Sequence, residues 1–169
     1  MAMTLFVGCT TVDSKEVCQM KEIVAALMIW IAEHTGYVMP DPPKIVQMSN
    51  DALREEFCML NSPTVEKHND CLSKAFDINA FYDLYRGTIS IPLNWDANNI
   101  LHVETLLHEL VHHFQAANNV TEDPNCPGNV EKEAYMLGRY WLQQQGADEE
   151  MHLVHNIMIR LADACGFSL

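Results

Sequence analysis

Positive charge is scarce in this chain. Ten Lys and Arg stand against 23 Asp and Glu in 169 residues, a formal net charge of -13. So acidic a chain repels phosphate backbones and anionic lipid, which argues against nucleic acid and membrane surfaces as partners. Long apolar runs are missing as well. The longest uncharged one, Ile23 to Ala32, is far shorter than a bilayer-spanning helix. The opening segment, Met1 to Cys9, is apolar but contains no Lys or Arg, so it does not read as a secretory signal. There is no internal repeat, no low-complexity tract and no C-x-x-C pair, which argues against zinc-knuckle and thioredoxin-type chemistry. Global disorder is excluded too. Hydrophobic residues make up 49% and charged residues 20%, enough to build the core of one compact domain over 1–169.

Cysteine, by contrast, is plentiful: Cys9, Cys18, Cys58, Cys71, Cys126 and Cys165. An even number permits three disulfides; reduced, buried thiols are the alternative. Cys58 and Cys71 flank a polar segment containing Pro63 and can close a short loop. Cys126 has Cys165 or Cys71 as partner, the second choice excluding the Cys58–Cys71 loop. Disulfides imply maturation in an oxidising compartment, periplasmic or secreted; reduced thiols imply the cytoplasm.

Helical spacing runs through Val17, Met20, Val24, Leu27 and Ile31, after Asp13 and Glu16 in capping-box spacing and before a stop at Gly36. Pro40 to Pro43 breaks the chain, and Lys44 to Met48 alternates as a strand does. Ser49 or Asn50 caps a second helix to about Leu60, and Asn61 to Asn79 is polar and irregular. Ala80–Tyr85, Arg86–Gly87 and Thr88–Leu93 read as a hairpin. Pro92 cannot donate to a ladder, so this second strand lies at a sheet edge or ends there. Three helices complete the chain, over 99–118, 130–145 and 148–165. The last carries Leu153, Val154, Ile157, Met158 and Leu161 on one face. The plan is α+β, mostly helical, with a small sheet.

The chemistry is concentrated in Thr105-Leu-Leu-His108-Glu109-Leu-Val-His112-His113-Phe-Gln115. His108 and His112 are four apart, so on a helix they project from one face, a turn apart. Two neutral imidazoles so placed can hold one zinc ion. Glu109 is about 100° round the helix, off the ligand line but placed to act on a metal-activated water. This is the H-E-x-x-H pattern of metallopeptidases, with the Glu as general base. Leu106, Leu107, Leu110, Val111 and Phe114 give the same segment a core face.

An open catalytic zinc site needs a third protein ligand. Glu131 follows His112 by enough residues for a loop and a returning helix, and it shares a face with Ala134 and Gly138. Those small residues allow close approach to the motif helix. Glu133 points about 200° away from Glu131, so only one of the two can reach the metal. Glu131 is favoured. Gln115 is on the metal-facing side, for a ligand, the substrate or a helix contact. His113 points elsewhere, and His34, His68 and His102 read as surface residues.

His108-Glu-Leu-Val-His112 followed by Glu131-x-x-Ala134-x-x-Leu137-Gly138 resembles the gluzincin metallopeptidases, closest to their smallest, minigluzincin-like members. The resemblance covers about Ala80 to Leu142 and extends to uncharacterised bacterial zincin-motif proteins. It implies a zincin-like fold and a hydrolase acting on peptide or protein substrates. His108, His112 and Glu131 match the zinc ligands, and Glu109 matches the base. Thr88 to Leu93 stands where that fold keeps the edge strand lining the substrate cleft. Tyr135 departs from the pattern, because many gluzincins carry Asp or Asn there to orient a ligand His, so that support must come from elsewhere. Tyr135 and His155, with His152 and Tyr140, are the residues that can donate to the oxyanion.

Two other readings remain open. Asp70-Cys71-Leu72-Ser73 resembles the segment in which peptide deformylases keep a Cys ligand, although the Gly before it is lacking. Alternatively the zinc belongs to a non-catalytic binding protein.

Overall fold

The computed structural model describes residues 15–74, 77–121, 123, 126, 128–148 and 150–164. Among them six helices flank one open three-stranded sheet, an α+β arrangement. Asp13 of the expected capping box, the Met1–Cys9 segment and Cys165 lie outside the described residues.

Helix α1 (Lys15–Thr35) buries Val24, Leu27, Met28 and Ile31, while Val17 at the start of the stripe is exposed. It stops at Gly36, whose φ of 75° is left-handed and whose N–H still reaches the Ala32 carbonyl at 3.1 Å. Strand β1 (Lys44–Met48) follows. Helix α2 (Asn50–Asn61) is capped by Ser49, whose side chain accepts the Ala52 N–H.

Helix α3 (Val65–Ser73) lies where the sequence suggests an irregular segment. Thr64 caps it by accepting the Lys67 N–H, and a Cys58–Cys71 disulfide ties it to α2. None of its residues is buried, so it carries no apolar stripe from which to read it. Cys18 and Cys126 are also disulfide-bonded, and no described cysteine is free. With Cys71 bonded to Cys58, Cys71 is closed to Cys126.

Strands β2 (Phe81–Asp83) and β3 (Thr88–Pro92) form the expected hairpin. The Asp83 side chain accepts the Tyr85 and Arg86 N–H groups, and Gly87 turns the chain at φ 61°. β1 pairs in parallel on the other side of β3, giving the order β1-β3-β2. Of the two expectations for this strand, an edge position or an end at Pro92, the second holds: β3 is central, and the edges belong to β1 and β2. Ile89 and Ile91 are fully buried on one face of β3 and Ser90 is buried on the other. A strand covered on both faces sits in the middle of a sheet. Pro92 is its last residue, where a missing N–H costs least.

Helix α4 (Ile100–Ala117) starts at Asn99, whose side chain accepts the Leu101 N–H. Its Leu106, Leu107, Leu110, Val111 and Phe114 are fully buried in one core with α1, β3 and Trp141 and Leu142 of α5 (Asn129–Gln144). Helix α6 (Met151–Asp163) is unusual. Leu153, Val154, Ile157 and Leu161 are exposed, while His152, His155 and Ala162 face inward. Its apolar stripe is not its packing face, because the space it meets holds a carboxylate that needs a polar partner.

Candidate metal centre

Helix α4 carries His108 and His112 one turn apart, and α5 returns Glu131 against them. Glu131 Oε2 is 3.3 Å from His108 Nε2, Glu131 Oε1 is 3.2 Å from His112 Nε2, and the two Nε2 atoms are 3.1 Å apart. These three groups converge so that they can chelate a metal ion. Two imidazoles and one carboxylate make the nitrogen–oxygen set that zinc takes in open sites, so the residues present fit that ion.

The charges are strongly coupled. Burial opposes a proton on His112, but the Glu131 hydrogen bond and the Glu109 and Glu131 charges outweigh it and push its pKa up to about 9. Burial likewise works against ionised Glu131, and hydrogen bonds from His108 and His112 override it, holding the carboxyl well below its usual range. At neutral pH the metal-free site thus keeps a proton on His112, which a divalent ion must displace.

Glu109 is buried beside the triad but is not one of the converging groups. Burial raises its pKa, while the neighbouring His108 and His112 and the Tyr82 backbone of β2 pull it the other way. His113, on the next position round, turns away as expected, with Nε2 2.8 Å from the Asp41 carbonyl and Nδ1 3.2 Å from the Tyr82 hydroxyl.

The His112 ring is held by Gln115 rather than by the residue at position 135. The Gln115 amide nitrogen donates to the Val130 carbonyl at 2.9 Å and to Glu133 Oε2 at 2.8 Å. That orients its oxygen toward His112 Nδ1, 2.8 Å away, which must then be the donor. With Nδ1 protonated, Nε2 faces Glu131 and His108. Glu133 does not join the triad. Its carboxylate also accepts from the Tyr37 hydroxyl, at 2.9 Å on Oε1 and 2.8 Å on Oε2.

Behind His108 lies a second polar group. The Tyr135 ring lies 4.5 Å, centroid to centroid, from that of His108 and 5.9 Å from that of His155. His155 Nε2 pairs with buried Glu104 Oε1 at 2.8 Å. Burial opposes the charged imidazole, and Glu104 more than compensates, so the His155 pKa is raised. The Tyr135 hydroxyl is pushed up by burial and by the charges of Glu131, Glu109 and Glu104. Tyr140 is directed elsewhere, with its ring 6.0 Å from Trp30 and 5.5 Å from His34. His152 is buried in α6 and is not one of the converging groups. Cys71 is bonded to Cys58 and offers no thiolate to a metal.

Sequence reading overlooked Glu104, Tyr37 and Tyr82. Glu104 is four residues before His108, so the helical period was a usable signal. Nothing in the spacing marks Tyr37, which arrives from the stretch after α1, or Tyr82, which arrives from β2. No curated protein and no solved structure matches the chain significantly. One family does match, over residues 16–167, and its description is Domain of unknown function (DUF6647). With nearly the whole chain matched, from the start of α1 past the end of α6, the protein belongs to the DUF6647 family.

Proposed function

We propose that this protein is a zinc-dependent peptidase of the gluzincin type, hydrolysing peptide or protein substrates. The observation that supports it is the convergence of His108, His112 and Glu131 beside the buried carboxyl of Glu109. His108, His112 and Glu131 would hold the metal, which would supply Lewis acidity to the attacking water and the scissile carbonyl. Glu109 accepts a proton from the attacking water and delivers it to the leaving amine. Its burial keeps the carboxyl's pKa raised, which suits a group that must both take and release a proton. Tyr135 keeps its hydroxyl proton and lies against His108, so it is the donor for the developing oxyanion; His155, engaged by Glu104, supports it. The edge strand beside the site is β2, whose Tyr82 backbone also reaches Glu109, and it is the strand along which an extended substrate would lie.

The Cys58–Cys71 bridge fits an oxidising compartment better than a reducing one. The periplasm or the extracellular space is the proposed location. Among the described residues no helix is long and apolar enough to cross a membrane.

Metal analysis of purified protein, paired with hydrolysis of a mixed peptide library with and without chelator, tests the proposal. One zinc per chain and chelator-sensitive cleavage, restored by added zinc, is the expected result. Protein that takes up no zinc, or cleavage indifferent to chelator, overturns it.

A further inference from the structure

Glu133 is the acid that sequence spacing leaves as a rival to Glu131, and in the structure it has another task. It faces α4 from α5, but one hydrogen bond short of the triad: Glu133 Oε2 to Gln115 Nε2 at 2.8 Å, then Gln115 Oε1 to His112 Nδ1 at 2.8 Å. We propose that Glu133, acting through the amide of Gln115, sets the orientation and basicity of His112 as a metal ligand, with Tyr37 fixing Glu133 in place. This assignment rests on the metal-centre reading above and concerns positioning residues.

The argument is chemical. A ligand histidine ordinarily donates its second ring N–H to a carboxylate, carbonyl or water, which fixes the ring and raises its basicity. Gln115 alone provides a neutral carbonyl. Its amide is held by two acceptors, the Val130 carbonyl and the carboxyl group of Glu133. Donation to a carboxylate polarises the amide, making its oxygen a stronger acceptor for His112. Gln115 is almost wholly buried, so water does not dilute that effect.

Tyr37 completes the chain. It stands two residues after α1, where its own N–H is taken by the Thr35 hydroxyl at 3.1 Å. Its phenol pKa is raised to about 12 by burial and by Glu133, so it remains a donor at neutral pH. Three separate parts of the chain thus meet at one carboxylate. A plain helix-to-helix contact would be satisfied by Gln115 on the Val130 carbonyl and needs neither Glu133 nor Tyr37.

The test is a cycle of zinc affinities on the full chain, measured by competition with a chromophoric chelator. The cobalt(II) absorption spectrum and thermal unfolding of the metal-free protein are read alongside. Gln115→Met and Glu133→Gln should each weaken zinc binding about tenfold or more, the usual effect of losing such a partner. Tyr37→Phe should weaken it less. The Gln115→Met/Glu133→Gln double variant should bind no more weakly than Gln115→Met alone, because the route to His112 is already cut. Wild-type affinity and an unchanged cobalt spectrum in Glu133→Gln overturn the assignment, as do losses that multiply in the double variant. If Glu133→Gln does not fold, Tyr37→Phe decides, and an unmoved affinity and spectrum there also overturn it. A wild-type chain that binds no zinc overturns the metal centre and this assignment together. A wild type that binds zinc, with variants that do so equally well, overturns this assignment alone.

Discussion

The carboxylate of Glu104 fills the space that a side chain on Gly138 would need. A Cβ at Gly138 would run into Glu104 Oε1 and come within 3.3 Å of His155 Nε2. The bare backbone of Gly138 in α5 leaves room for a buried acid from α4 to reach a histidine from α6. Gly138→Ala should destabilise the fold by about 1–3 kcal/mol, the usual cost of overpacking. That loss is expected even though alanine by itself favours helix by about 1 kcal/mol. Denaturant unfolding of the metal-free protein measures it; a gain in stability would show that the helices have room to spare.

Glu109 is separate from the three converging groups, so its removal and theirs should have different consequences. Glu109→Gln should keep full zinc content and lose peptide hydrolysis, because an amide cannot take a proton. Loss of metal from that variant would make Glu109 a structural support of the site instead.

Replacement of His112 by Ala, or of Glu131 by Gln, should cut zinc content sharply. Cys71→Ser should leave zinc content unchanged, since that sulfur is committed to Cys58. It should instead cost about 3 kcal/mol of stability, the chain-entropy value for a loop of this size. Zinc stoichiometry and unfolding midpoints of the same preparations check both halves. Zinc lost from Cys71→Ser would return Cys71 to the ligand set.

The metal-free protein should depend on pH in a defined direction. His112 has a folded pKa of about 9 against an ordinary 6.5, so its contribution is complete below 6.5 and disappears as pH rises toward 9. Glu131 is shifted down from 4.5, so its contribution holds above that pH and is lost in acid. Stability of the metal-free form should therefore fall between pH 6.5 and 9. Zinc binding near pH 7.5 should release about one proton, displaced from His112. Calorimetry in buffers of different ionisation enthalpy reads that proton directly; zero release would mean that His112 is already neutral.

Much of the helical frame was legible. The stripe at Val24, Leu27 and Ile31, the stop at Gly36, the cap at Ser49 and the core face of α4 all follow from local periodicity and local hydrogen bonding. Helix α3 was not legible, because it is held by a cap and a disulfide and buries nothing. The apolar stripe of α6 did not reveal its packing face for a related reason. Which face of a helix turns inward depends on what waits there, and here it is Glu104. The place of β3 in the sheet was hidden too, since strand order depends on a pairing with β1 forty-four residues earlier in register, Lys44 with Thr88.

The sequence by itself determined that His108 and His112 share one face and that Glu109 does not, because the period of an α-helix is a property of the backbone and needs no neighbours. It also narrowed the candidates for a third ligand to two acids on a returning helix, Glu131 ahead of Glu133, with Cys71 as the alternative. Only the tertiary structure decided that Glu131 meets the histidines while Glu133 meets Gln115 and Tyr37, and that Cys71 belongs to a disulfide. Those outcomes turn on how α4 and α5 pack with the stretch that follows α1, and on how α3 meets α2. Contacts between residues far apart in the chain depend on the summed packing of every element between them, which no local spacing encodes.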